Sequence, residues 1–499
     1  MQQEPDHKRE TKKVSLPFYI GSIIVILVVA IFGTVLGVQY FQEDTQESQG
    51  ASVEDFFNSE SENKPSTFVD FQPIEEMYSI LMTRYLEEID SEVLIEGALE
   101  GMADAIEDPY TEYLDEIESS SMDEDMQGSF EGIGAEVMKE GDYVRIVSPI
   151  AGSPAEEAGL LPNDYIVEVD GESVADLSIN EAVQLIRGPQ GSDVELLLLR
   201  GDNQFNVTLT RDSIPVESVI YEHDEDHPTI GHVHITTFNI PTYEELIEAI
   251  ESLREEGVEK FIFDVRGNPG GLLDTALYVS NIFVADGEPL MQSQGRDEEP
   301  YIYYANSDEF GEYKFEGESV LLIDGGSASA SEILAGAMSQ SADIPLIGTP
   351  TFGKGTIQSV LPLSIDGEVK FTSGRWLTAD GDWINEEGIQ PDIEVEMPEY
   401  MNLLLINPEE TYEMGDASEE VRNIKGILGA LGYDVGEMND VYNEQTAQAV
   451  EAFQNDRDIE VTGVVTGPTA NEMITAIRDL IAENDTQYEA AIDYLLKNN

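Results

Sequence analysis

An uncharged run near the start sets the first limit on this chain. FYIGSIIVILVVAIFGTVLGV occupies residues 18–38, and as a helix rising about 1.5 Å per residue it spans roughly 30 Å, the thickness of a bilayer's hydrocarbon core. Backbone amides in lipid must be satisfied within the segment, so the run reads as a single transmembrane helix. Lys8, Arg9, Lys12 and Lys13 precede it, and Glu43, Asp44 and Glu47 follow. That asymmetry predicts residues 1–17 in the cytoplasm and everything beyond the span outside the cell membrane. The rival is a cleavable signal peptide, which the length of the run and the lack of an A-x-A-like site in TVLGVQYFQ (34–42) disfavour. Residues 39–67, rich in Gln, Glu, Ser and Asn, read as a flexible tether.

Charge narrows the partners. The 499 residues carry 24 Lys+Arg against 102 Asp+Glu, a formal net charge of −78. A nucleic-acid partner needs a basic face, and so few cations leave none to build. With 41% hydrophobic residues the chain still has material for real cores, so the acidity belongs to solvated surface, as suits high salt or high pH. The absence of cysteine excludes disulfides, thiolate nucleophiles and cysteine-bound zinc. No metal or cofactor is expected.

Beyond the tether the organisation is multidomain α/β. Residues 68–125 read as a helical arm, with apolar positions at helical spacing (Ile74, Met77, Tyr78, Leu81, then Val93, Leu94, Ala98, Leu99, Met102) and Ser91 as a cap. Such a pair of helices suits either core packing or a homodimerisation arm. Residues 128–212 hold short alternating strands, turns at Gly152-Ser153-Pro154 and Asp170-Gly171, and one short helix from Asn180 to Arg187. With Gly132-Ile133-Gly134 and SPAEEAGLLPNDYIVEVDG (153–171), this segment resembles a PDZ domain. The resemblance implies a peptide added as an extra strand, its terminal carboxylate against the amides of Gly132, Ile133 and Gly134. Arg187 is then a candidate sensor of groove occupancy, or simply a solvated helix end.

From 213 to 400 apolar strands run into glycine turns and helices, the pattern of a layered α/β core. KFIFDV (260–265) enters Gly267-Asn268-Pro269-Gly270-Gly271 and a helix from Leu272. Val320–Asp324 enters Gly325-Gly326-Ser327-Ala328-Ser329-Ala330-Ser331 and a second helix. A small-residue turn opening a helix offers free amides to an oxyanion, as acyl transfer requires. The three serines there need a base. His7 is cytoplasmic, His223 and His227 lie in an acidic loop, and His232 and His234 alternate on a strand, so a Ser-His-Asp triad is disfavoured. Lys354, in Thr351-Phe352-Gly353-Lys354-Gly355-Thr356, is a scarce cation in a glycine turn, and burial can make such an amine a base. GTPTFGK (348–354) also fits the start of a phosphate loop, but Gly355 stands where a magnesium-holding Ser/Thr belongs.

DPYTEYL (108–114), GIGAE (132–136), DVRGNPGGLL (264–273), GGSASASEILAGAM (325–338), FGKGTIQ (352–358) and GIQPDI (388–393) together resemble the C-terminal processing peptidases, or tail-specific proteases. The resemblance implies a serine peptidase core with an inserted PDZ domain. It implies Ser329 as nucleophile, Lys354 as base, Gln358 orienting the amine, and oxyanion donors from Ala330 and from Gly270 or Gly271. Substrates would be proteins or peptides chosen by free apolar C-termini. The alternative is a catalytically idle PDZ scaffold near the wall.

Residues 416–480 read as a small all-α module. Leu431-Gly432-Tyr433, Thr446, Ala449-Val450, Phe453-Gln454 and Thr462-Gly463-Val464-Val465 resemble a peptidoglycan-binding domain, although Asn439-Asp440 stands where that family has Asp-Gly. Residues 481–499 are expected to be a helical tail without an assigned use.

Overall fold

The computed structural model describes residues 71–365, 367–403 and 406–497. The predicted cytoplasmic segment 1–17, the membrane run 18–38 and the tether 39–67 lie outside the described residues. Among the described residues no helix is long and apolar enough to cross a membrane. The chain divides into two compact units, Met1–Leu94 and Ile95–Asn499. In the first, helix Gln72–Arg84 has no buried residue, and Ile74, Met77 and Ile80 are exposed. The next helix is capped one residue earlier than expected, with the Glu92 amide donating to Asp90 Oδ1 at 3.1 Å.

In the second unit the peptidase-like core is a six-stranded sheet. Its order is Val219–His223, Ile230–Ile235, Lys260–Asp264, Glu318–Ile323, Leu346–Gly348 and Ile393–Glu394, parallel except for the first strand. KFIFD alternates between two hydrophobic layers: Phe261 and Phe263 pack with helices Thr242–Glu256, Leu273–Phe283 and Ala330–Ala342, while Ile262 faces the other way. Burial on both faces is why the strand reads as an unbroken apolar run.

The opposite face gives the helix expected in the tail its place. Residues 486–497 are not an appendage: helix Thr486–Lys497 lays Ala491, Ile492 and Leu495 on Ile230, Ile262, Val320, Leu322 and Ile347. It is the helix layer the sheet lacks on that side. The helices Glu419–Ala430, Glu444–Asp456 and Gly467–Glu483, which form a separate core around Val421, Tyr442, Phe453 and Met473, are therefore spliced into the peptidase rather than hung from its end.

A second, five-stranded sheet is built on the long strand Glu368–Leu377, which pairs with Thr356–Pro362 and Pro289–Gly295. It also takes Glu112–Leu114, so the segment read as helical arm contributes a strand to this sheet. The PDZ-like sheet of strands between Ala135 and Thr210 is entered and left through the paired strands Ser129–Gly132 and Asp212–Pro215. That pairing is the geometry of an insertion.

Candidate active site

Adjacent parallel strands Lys260–Asp264 and Glu318–Ile323 end on one side of the sheet, so the turns after them meet there. Leu346–Gly348 lies alongside and delivers the Lys354 loop to the same edge. Three motifs separated in sequence thus converge because their strands are neighbours.

The structure distinguishes the three serines by what their hydroxyls do. Ser327 is buried and donates to the Val265 carbonyl at 2.8 Å, and Ser331 is buried and donates to the Asn268 carbonyl at 2.9 Å. Ser329 alone is partly exposed, with its hydroxyl donating to no protein acceptor among the described residues. Its backbone, at φ 54° and ψ −111°, occupies a region that ordinarily belongs to glycine, a strain of order 1–3 kcal/mol. Such strain persists where surrounding contacts over-determine it.

Glu332 supplies those contacts. Its carboxylate is fully buried. Oε2 accepts the amides of Ser329 at 2.8 Å and Lys354 at 2.9 Å. Oε1 accepts the Thr351 hydroxyl at 2.6 Å and the Gly353 amide at 2.7 Å. One buried charge with four donors therefore ties the serine turn to the lysine turn, and satisfies itself in doing so. The Lys354 loop is braced further out: the Ile389 amide donates to Thr351 Oγ1 at 2.6 Å. The chain's two tryptophans donate to the same loop, Trp376 to the Lys354 carbonyl at 2.8 Å and Trp383 to the Gly355 carbonyl at 3.0 Å.

The amine itself stands over the Tyr110 ring, 4.6 Å from its centroid. Removal from water pushes the Lys354 ammonium below the ordinary lysine range, and repulsion from Lys370 adds to this, against the attraction of Glu332 and Asp108. Among the described residues no hydrogen bond joins Lys354 Nζ to Ser329 or to Gln358. Gln358 instead donates from Nε2 to the hydroxyls of Thr356 at 2.9 Å and Thr372 at 3.3 Å. The backbones of Ser329 and Lys354 share one carboxylate oxygen, and the flexible lysine stem gives the amine a wide reach from that anchor.

Donors for an oxyanion lie beside the serine. The Ala330 amide opens helix Ala330–Ala342 and has no acceptor among the described residues. A Cβ on Gly270 would sit 2.9 Å from Ser329 Cβ and 3.0 Å from Ala330 N, so only glycine permits this approach. The Gly270 amide, however, donates to Asn268 Oδ1 at 2.8 Å. Of the two glycines, Gly271 has the amide without a protein acceptor among the described residues.

In the PDZ-like domain, the amides of Ile133 and Gly134 donate to no protein acceptor among the described residues, while their carbonyls hold Ala155 and Ile150. Gly132 closes the strand before them. Among the described residues, strand Ala135–Glu140 is an edge strand bonded only to Tyr143–Pro149, with its other side open for a further strand. Arg187 ends helix Ile179–Ile186, donates to Glu124 Oε2 at 2.8 Å and covers the Phe130 ring at 5.0 Å.

Neither histidine on the central strands serves the serine: His232 pairs with Asp264 at 3.0 Å and His234 meets the Arg266 carbonyl at 3.3 Å. In the helical module the motif residue Gln454 is a buried brace, accepting the amides of Thr462 and Gly463 and donating to the Val464 carbonyl. Lys425 is buried and holds the loop bearing Asn439-Asp440, donating to Asn439 Oδ1 at 2.8 Å.

Residues 229–395 match the family profile described as Peptidase family S41, and residues 145–200 that of a PDZ domain. Residues 27–117 match the activating protease CtpB N-terminal domain, and 417–473 a peptidoglycan binding domain. The carboxy-terminal processing protease CtpA of Bacillus subtilis (strain 168) is 39% identical over 428 residues, covering 86% of this chain and 90% of that one. CtpB of the same organism is 34% identical over 430 residues, covering 85% and 89%. Among solved structures, the photosystem II D1 C-terminal processing protease aligns at 29% identity over 66% of this chain and 87% of that one, with a TM-score of 0.39.

Proposed function

The chain belongs to the peptidase S41, or C-terminal processing protease, family, and from that premise we propose that it is a membrane-anchored, extracytoplasmic serine endopeptidase working through Ser329 and Lys354. The observation that carries the reading is the Glu332 carboxylate, which gathers the Ser329 and Lys354 amides onto one oxygen. Catalysis starts when the neutral amine leaves Tyr110 and turns toward Ser329. Ser329 Oγ then forms a bond to the scissile carbonyl carbon as its proton passes to Lys354 Nζ. The amides of Ala330 and Gly271 receive the oxyanion. The C–N bond breaks, the proton moves from Lys354 to the leaving amine, and an acyl-enzyme remains. Water adds to the ester carbon as Lys354 takes its proton, and the C–O bond to Ser329 then breaks as Lys354 returns that proton to Ser329 Oγ, which frees the new C-terminus and restores the neutral amine. Gln358 Oε1, which accepts nothing among the described residues, is suited to orient the amine during this cycle.

Selection by C-terminal ends is supported by the free amides of Ile133 and Gly134 and the open strand edge. Arg187, joining the end of the groove helix to Glu124, is suited to report occupancy. The uncharged run 18–38 supports anchoring, the helical module supports peptidoglycan as a partner, and the exposed face of Gln72–Arg84 supports a homodimer. The placement of Lys354 Nζ over the Tyr110 ring, with no hydrogen bond to Ser329 among the described residues, is what favours the second reading, an idle PDZ scaffold. A panel of peptides differing only in the C-terminal residue decides between them. Cleavage is expected to depend on an apolar terminus and vanish in Ser329→Ala and Lys354→Ala. Binding of the panel without cleavage by the unaltered chain would overturn the peptidase reading.

A further inference from the structure

Arg266 is the last residue before the Gly267–Gly271 turn, and it is gripped from two sides. From within the core, Asp264 Oδ2 accepts Nη2 at 2.7 Å, and Asp264 is itself buried and paired with His232. From the C-terminal segment, Asp485 Oδ1 accepts Nη1 at 2.9 Å, Asp485 Oδ2 lies 2.8 Å from Nη2, and Gln487 Oε1 accepts Nη1 at 3.2 Å. Asp485 is fixed in turn by its own helix, accepting the amides of Gln487 at 3.1 Å and Tyr488 at 2.9 Å. One aspartate would suffice to neutralise the guanidinium. The second comes from a segment some 220 residues away, on the far side of the spliced helical module.

Ahead of Arg266, the turn is bolted to the serine's own turn. The Gly267 amide donates to Asp324 Oδ1 at 2.9 Å, as does the Gly326 amide at 2.9 Å. The Asn268 carbonyl accepts the Ala328 amide at 3.0 Å and the Ser331 hydroxyl at 2.9 Å, on either side of Ser329. A shift of the guanidinium is thus carried through Gly267 and Asn268 to the residues on either side of Ser329.

We propose that Asp485 is a positioning residue for the active site, holding Arg266 so that the Gly267–Gly271 turn keeps its amide aimed beside Ser329. The role rests on the reading of Ser329 as the nucleophile. It makes the segment after the helical module part of the catalytic support, and gives that module a physical route to the site.

The variant Asp485→Asn separates this role from simple packing. Asparagine keeps an oxygen for the helix amides, as good N-caps do, but loses the charge that opposes Arg266. The full-length chain is titrated with a fluorophosphonate, giving both the fraction of reactive serines and the labelling rate per reactive serine. The expected result is a rate per serine lowered roughly tenfold, with the reactive fraction and Tm near those of the unaltered chain. Ile492→Ala, which loosens the same helix without touching Arg266, should lower Tm and leave the rate per serine unchanged. An unaltered rate in Asp485→Asn overturns the proposal, as does an equal rate loss in Ile492→Ala. Failure of the unaltered chain to label at all removes the nucleophile reading, and the proposal with it, an outcome distinct from the other two.

Discussion

Lys354 works as a base only when its amine is neutral, and its surroundings act on that in opposite directions. Burial and Lys370 lower its pKa, while Glu332 and Asp108 raise it. A lowered value means the neutral form appears at lower pH, so kcat/KM should rise with pH through the Lys354 pKa, below the ordinary lysine value near 10.5, and then level. Lys370 sits on strand Glu368–Leu377 and pairs with Glu112. Lys370→Gln removes a repulsion and leaves Glu112 unpaired, both of which favour the ammonium. The rising limb of the pH–rate profile is therefore expected to move to higher pH, with the plateau kept. A limb that stays put or moves down would mean the titrating group is not Lys354.

At the scale of the element, the serine turn and the lysine loop form one unit because a single buried carboxylate accepts from both. Glu332→Gln replaces two of its acceptor positions with an NH₂ that faces N–H or O–H donors. Leaving buried donors unpaired costs roughly 1–3 kcal/mol each, so Tm should fall, and cleavage should fall about a hundredfold as the two turns drift apart. Retained cleavage at a lowered Tm would reduce Glu332 to a structural brace. Much of this unit was legible in the sequence, because glycine-rich turns after apolar strands announce both the layered core and the places where a backbone comes close to a side chain. Lys354 and the turn bearing three serines could be read that way, whereas the choice of Ser329 among them, Ala330 and the two glycines came from the family resemblance. Glu332 was visible only as a landmark beside Ser329, since a glutamate in a helix's first turn ordinarily faces water. Tyr110, Trp376 and Trp383 could not be read at all. Tyr110 and Trp376 reach Lys354 through the pairing of Glu368–Leu377 with Glu112–Leu114 and Thr356–Pro362, and Trp383, beyond that strand, reaches Gly355, contacts across sequence separations that leave no local pattern. Gln358, expected on the amine, spends its NH₂ on two threonines that the same sheet brings in.

At the largest scale, the peptidase-like core carries two separate insertions, the PDZ-like domain and the helical module. The tail could not be assigned from its sequence because its apolar stripe is ordinary, and only the bare face of the sheet gives it a partner. The ends of the spliced segment are close together: Thr486 Oγ1 donates to the Glu396 carbonyl at 2.8 Å and Gln487 Nε2 to the Val395 carbonyl at 2.9 Å. Replacing residues 397–484 with a short Gly-Ser linker should therefore leave a folded peptidase with a cooperative thermal transition. Ending the chain after residue 415 should not, because burial of Ile492 and Leu495 alone contributes roughly 3–6 kcal/mol. If the truncated chain melts like the intact one, the helix Thr486–Lys497 is dispensable to the core. The most direct test of the account is to treat the full-length chain with a fluorophosphonate and map the adduct by peptide mass spectrometry. A single adduct on Ser329, absent from Ser329→Ala and strongly slowed in Lys354→Ala, is the predicted result. An adduct on another serine, or labelling that persists in Ser329→Ala, would contradict it.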